Sequence, residues 1–199
     1  MTLTNAKVAG TFLFIGGTQF VIFLIIAEAV YPGYSISANY ISDLGVWDAP
    51  SALIFNASIM IFGLFVIASS YFIGKQFNSR GIAILYAIAG AGSLGVGIFP
   101  ENIFVVNGIP VLHSLAALLA FVVGGISAIV TYRVTKPPFR YLSVIMGTAA
   151  LVAFVLFLAT NDMGGLGIGA GGMERMIAYP SLLAIIGFGG YLLGLDSEK

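Results

Sequence analysis

The chain has 199 residues, of which 59% are hydrophobic and only 8% charged, with zero formal net charge and a mean hydropathy of +1.06. A soluble domain carries roughly a quarter charged residues, so the composition excludes a water-covered surface, and the lack of a basic excess excludes nucleic acid as a partner. With no cysteine and one histidine, His113, disulfides, thiolate metal sites and a histidine zinc site are excluded, and neither metal nor cofactor is expected.

Six apolar runs follow in order: 8–30, 51–73, 81–99, 110–132, 139–160 and 174–195, each of 19 to 23 residues. At 1.5 Å rise per residue each matches the ~20 residues a spanning helix needs. None alternates with period 2, which excludes a barrel. The predicted fold is an all-α membrane protein, one domain over 1–199, with six transmembrane helices in an up-down bundle. The first run follows Lys7, and Ala27-Glu28-Ala29 imitates a small-x-small cleavage site. It is longer than the about 7–15 residues of a signal h-region, so an uncleaved helix is predicted.

Between the first two runs lies the longest polar interruption, 31–50, YPGYSISANYISDLGVWDAP. A short helix is expected over 37–44, with Ile36, Tyr40, Ile41 and Leu44 on one face and Gly45 as its stop. Asp48 is placed to cap the second helix, with Pro50 in its first turn. The third run carries Ala83, Ala87, Ala91 and Gly95 at every fourth position, and the fourth carries Ala116, Ala120, Gly124 and Ala128. The sixth carries Gly190-x-x-x-Gly194. In lipid, small residues at this spacing let helix backbones approach. His113 shares the face of Ala116 and Ala120 and is expected to look into the bundle. The glycine-rich stretch 164–172 reads as a flexible linker or as bare amides near an anion. It contains GxGxxG, but no strand precedes it, so the dinucleotide reading fails.

Charge distribution predicts orientation. Lys7, Lys75, Arg80, Arg133, Lys136, Arg140 and Lys199 fall on one side, which the positive-inside rule makes cytoplasmic. Both termini are then cytoplasmic in a multi-pass protein of the cell membrane, and 31–50 caps the extracytoplasmic end. Acids gather there: Glu28, Asp43, Asp48, Glu101, Asp162 and Glu174. Arg175 is the one base on that side, in the expected first turn of the sixth helix, where the helix dipole disfavours a cation. It therefore needs a partner among Glu28, Asp43, Glu101 and Asp162, unless it faces a ligand. Ionisable residues within spans are functional candidates by default. The binding candidates are Glu28, Asp43, Glu101, His113, Glu174 and Arg175. The catalytic candidates are His113 as base, Asp43 as orienting carboxylate and Ser42, Ser35 or Ser37 as nucleophile.

The segments NYISDLG (39–45), FPEN (99–102), HSLAA (113–117) and GGMER (171–175) together give a whole-chain match. Through them the chain resembles domain-of-unknown-function family 998, prokaryotic six-helix membrane proteins. The family's typical pattern meets this sequence at Ser42, Asp43, Leu44, Gly45, Phe99, Pro100, His113, Glu174 and Arg175. The resemblance implies the six-helix fold and brings no activity with it. The ceramidase-like membrane hydrolases are similar in their Ser and Asp but need three histidines for zinc, and this chain has one.

Two classes of function follow, with the weight on the non-enzymatic one. The first is binding of a lipid headgroup or small amphiphile at the extracytoplasmic leaflet, or docking of a partner subunit or a second copy. The second is a hydrolase or transferase on lipid-linked substrates using His113 with Ser42 and Asp43. A proton-coupled transporter ranks third, because no ionisable residue sits at the midplane and no interrupted helix pair is evident.

Overall fold

In the computed structural model, which describes residues 4–160 and 164–195, six helices are long and apolar enough to cross a membrane. They are α1 (Asn5–Val30), α2 (Ala52–Phe77), α3 (Arg80–Ile98), α4 (Val111–Arg133), α5 (Phe139–Thr160) and α6 (Gly169–Leu193). This is the architecture of a multi-pass membrane protein. α4 contains one π-helical turn, Leu119–Val123. Between α3 and α4 a small antiparallel pair joins β1 (Val105–Val106) to β2 (Ile109–Pro110). Asn107 and Gly108 turn it with positive φ at both positions, as a two-residue hairpin turn requires.

Helix ends depart from the apolar runs where local chemistry differs from hydropathy. α1 begins at Asn5 because Thr4 caps it, accepting from the Lys7 N–H at 3.3 Å. α2 continues to Phe77 and stops where Asn78 turns left-handed. α6 begins at Gly169, well before 174, so Arg175 lies near the second turn and not in the first. Asp48 does not cap α2: Ser51 holds that position without a side-chain cap, and Asp48 Oδ1 instead meets Asn102 Nδ2 at 3.4 Å. The expected helix over 37–44 is replaced by turns and a single 3₁₀ segment, Ser42–Gly45, because this stretch hydrogen-bonds to neighbouring elements more than to itself.

Each helix packs on its sequence neighbours, and α1 also packs on α6. The chain thus closes into a ring. α5 is the peripheral member: Leu158, Val155 and Ile145 are each more than 60% exposed (67%, 63% and 62%), as suits lipid contact.

Glycine sets the closest approaches, partly at the every-fourth positions, as where Gly95 meets Ala116 and Gly74 meets Ala83, and partly at other phases. Ala91 is exposed. α3 instead meets α2 through Gly90 against Gly63, where an added Cβ on Gly63 would lie 2.6 Å from the Gly90 carbonyl. Its Gly92 faces the α4 backbone at Ala116 and Ala120. On α6 Gly190 has open space around it, and Gly189 makes the close contact, with Gly10 of α1. On α4, Ala116, Gly124 and Ala128 are buried, but Gly124 has open space around it and Gly125 makes the close contact, with Gly147 of α5.

The acidic groups of the described residues collect at one end of this ring, beneath 31–50, and the bases other than Arg175 at the opposite end. At the basic end Tyr86 is fully buried against Thr131, 2.8 Å from its hydroxyl. Its ring lies 5.7 Å from that of Phe188, which stacks in turn on Phe139, Phe77 and Tyr191. This aromatic floor closes the bundle interior from below.

Candidate functional site

The segment 31–50 is held down from three directions. From α2, Ser51 Oγ donates to the Leu44 carbonyl at 2.8 Å and Asn56 Nδ2 to that of Gly45 at 2.8 Å. From the α3–α4 connection, Asn102 Oδ1 accepts from the Trp47 N–H at 3.0 Å. From α6, the Gly171 N–H donates to the Ser37 carbonyl at 2.9 Å, while Ser37 Oγ donates to Ile168 O at 2.7 Å. The glycines before Glu174 permit this seat: a Cβ on Gly171 would collide with the carbonyl oxygens of Ile36 and Asn39. Described residues of the stretch expected to be a loose linker therefore form a packing surface and helix N-terminus. Trp47 points outward, 74% exposed.

Adjacent residues of α6 serve opposite sides of this lid. Arg175, 4% exposed, pairs with Glu28 at 2.7 Å. Its Nη1 donates to the carbonyls of Ile36, Asn39 and Gly171 at 3.0, 3.1 and 3.0 Å. Its Nη2 also donates to the Tyr34 hydroxyl, which passes its own proton to the Tyr40 carbonyl at 2.8 Å. Burial of the phenol pushes the Tyr34 pKa up to about 12 against the pull of the guanidinium, so it stays a neutral donor. Arg175 is thus the structural partner of Glu28 and pins the lid backbone. Asp162, also named as a possible partner, lies outside the described residues.

Glu174 turns the other way. Its carboxylate accepts from the Ile41 N–H and lies against the Ser42 backbone. Asp43 accepts from Asn39 Nδ2 at 2.9 Å and from the Tyr40 N–H at 3.0 Å. Glu101 reaches the same place from the α3–α4 connection, its carboxyl against the side chains of Asp43 and Ser42. Burial, reinforced by the Asp43 carboxylate, raises its pKa from 4.5 to about 8, so Glu101 carries a proton at neutral pH.

Below this roof lies a cavity of about 90 Å³. Ser42, His113 and Glu174 line its top, and Phe20, Phe62, Val96, Ala120 and Ile185 are among its apolar walls. His113 is buried with Nδ1 at 2.9 Å from the Phe99 carbonyl. That bond places the proton on Nδ1 and leaves Nε2 as the acceptor. The Phe99 carbonyl thus occupies the position where Asp43 was expected to orient the ring. Ser35 and Ser37 are exposed and do not line the cavity.

Sequence reasoning missed three contributors. Tyr34 clamps Arg175, stacking beneath the guanidinium at 5.4 Å from ring centroid to Cζ. Ser181, 8% exposed, lines the cavity with a buried hydroxyl that has no hydrogen-bond partner. Tyr179 lines the cavity while remaining 39% exposed, so its ring reaches from the chamber to the outer face of α6. The first part of α4, Val111–Leu118, packs chiefly on α3. Pro180, inside α6, was the available signal for a special segment, since it removes one helix hydrogen bond.

A family model described as "Protein of unknown function (DUF998)" matches residues 14–190. No curated protein and no solved structure matches the chain.

Proposed function

This chain belongs to the DUF998 family, whose description assigns no activity, and we propose on its own geometry that it binds a small amphiphile at the extracytoplasmic side of the membrane. The apolar part lies in the cavity and the polar part under the 31–50 lid. The observation that carries this reading is an apolar chamber roofed by Ser42, His113 and Glu174. Buried polar groups on an otherwise apolar wall are the usual form of a site that orients a ligand. From Glu174 to Ile185 the chamber follows about 16 Å of α6, roughly half the ~30 Å hydrocarbon core. Its volume of about 90 Å³ is below the ~150 Å³ of a cavity that takes benzene, so it excludes the body of a two-chain lipid. It would enclose only the first carbons of one narrow chain, the rest of which would run out between α4 and α6 toward the lipid. The positive-inside rule supports the placement of the acidic end outside.

Native mass spectrometry of the full chain from lipid nanodiscs tests this. One retained small amphiphile per chain is expected, lost in Ala178→Phe and Ala120→Phe, both of which fill the chamber. An unliganded chain carrying a second polypeptide on the lid would replace the reading with a docking role.

A second reading rests on one observation: His113 and Ser42 line the same chamber. Nε2 of His113 would accept the Ser42 proton as Ser42 Oγ attacks the acyl carbon or phosphorus of a lipid-linked ester. The C–O or P–O bond to the alcohol breaks, the alcohol leaves with the proton returned by His113, and water then releases the acyl or phosphoryl group from Ser42. Labelling of Ser42 by a lipophilic fluorophosphonate, abolished in His113→Ala, would establish it. No labelling of the folded protein would remove it.

A further inference from the structure

The chemistry of the chamber's polar lining specifies what kind of head group it accepts. The only ionised side chain that sequence reasoning could offer to an anion, Arg175, is not available. Its guanidinium serves Glu28, Tyr34 and three backbone carbonyls and does not line the chamber. What does line it is a carboxyl group (Glu174), an imidazole (His113), three serine hydroxyls (Ser42, Ser93 and Ser181) and the phenol of Tyr179. None of these supplies a fixed positive charge. Beyond Glu174 stands the Asp43 carboxylate, while Glu101, against the same Ser42, carries a proton and adds no charge. A phosphate or carboxylate head would therefore enter a poorly solvated site facing like charge, where unscreened repulsion is strongest.

A separate observation indicates that the chamber is built for a polar guest. The Ser181 hydroxyl, more than nine-tenths buried, has no partner in the protein. A buried hydroxyl left without a hydrogen bond is costly, and this one lines the same chamber as Glu174. Tyr179 and Phe121 add aromatic wall to the same chamber, and aromatic faces attract a desolvated ammonium.

We infer that the ligand of this chamber is a cationic single-chain amphiphile, an alkyl amine or alkyl ammonium, whose head is neutralised by Glu174 and whose chain lies between α4 and α6. This rests on the amphiphile reading above and narrows it. The amine's N–H groups would satisfy the Glu174 carboxylate and the adjacent Ser42 hydroxyl. Arg175 and Glu28 would remain paired outside the chamber, so ligand binding would leave the lid's anchor intact.

The test compares dodecylamine, dodecanol and dodecyl phosphate, which share one chain and differ in head charge, on the full chain in nanodiscs by native mass spectrometry. Dodecylamine is expected to bind at least roughly tenfold more tightly than either competitor, a difference of about 1.4 kcal/mol. In Glu174→Gln, which keeps an acceptor for the Ile41 N–H, that preference is expected to vanish while dodecanol binding persists. Equal binding of the three, or tighter binding of the phosphate, would overturn the cationic assignment and leave amphiphile binding standing. Binding of none would overturn both. Because the wild-type comparison alone decides the charge preference, a variant that fails to fold does not shield the inference.

Discussion

At the residue scale, Arg175 and Glu101 illustrate two ways in which a largely apolar protein keeps charge. Arg175 is buried with an opposite charge and nearly complete hydrogen bonding, only Nε lacking a partner. Removing one member of such a pair strands the other, at a cost of about 3–5 kcal/mol. Glu28→Gln and Arg175→Ala are each expected to lower unfolding stability in micelles by about that amount and to open 31–50 to limited proteolysis. Arg175→Lys is expected to resemble Arg175→Ala, because one ammonium cannot reproduce the planar fork. Unchanged protease resistance in Arg175→Lys would show that charge alone suffices. Glu101 keeps a proton instead. Its folded pKa of about 8 exceeds the ordinary 4.5, so between these values the folded state holds more protons than the unfolded one. Stability of the lid should then fall as pH rises from about 4.5 to about 8 and level off above. Hydrogen exchange of 31–50 against pH reads this, and Glu101→Gln should flatten the profile. The ion pair was only half legible in the sequence: the misplaced cation announced a need for a partner. The choice of Glu28, 147 positions distant, over the nearer acids depends on which helices become neighbours.

At the element scale, the first turn of α6 is the clearest departure from sequence expectation. Six glycines in nine residues, 164–172, read equally well as linker or as packing surface, since composition records flexibility but not what approaches. The approach of the Ile36 and Asn39 carbonyls decides the matter and extends the helix back to Gly169. Gly171→Ala is expected to cost about 1–3 kcal/mol, the usual range for overpacking, and to raise proteolysis of 31–50. Gly190→Ala, which has open space, should be neutral or gain up to about 1 kcal/mol from helix propensity. Thermal unfolding of the two variants side by side checks the contrast, and equal losses would contradict it. The small-residue stripe of α3 held only in part, Ala83 meeting Gly74 and Gly95 meeting Ala116 while Ala91 is exposed, for a related reason. Spacing finds that a helix has a small face but not its phase, and α3 has two neighbours to satisfy, Gly90 serving α2 and Gly92 serving α4.

At the scale of the whole molecule, ring closure of α1 on α6 brings the two chain ends' helices together and places their acid and base side by side. The same closure leaves an interior that side chains do not fill near the acidic end and that Tyr86 and Phe188 fill at the basic end. The proposed orientation is open to direct measurement because the chain has no native cysteine. Asn5→Cys at the basic end and Val106→Cys on the exposed hairpin provide single labelling sites. An impermeant maleimide added to intact cells should modify the Val106→Cys protein at once and the Asn5→Cys protein only after permeabilisation. The reverse pattern would turn the molecule over and place the chamber on the cytoplasmic side.

The sequence by itself determined the membrane class, the six helices and the gathering of Glu28, Asp43, Glu101, Glu174 and Arg175 toward one end. Each of these rests on a local cost: about twenty apolar residues to span lipid and a penalty for charge away from the interface. Only the tertiary structure decided that Glu28 takes Arg175, that Glu174 turns from its neighbour toward the chamber, and that the glycines seat the lid. Those outcomes depend on the rotational phase of each helix about its axis. That phase is set by close contacts between backbones far apart in the chain.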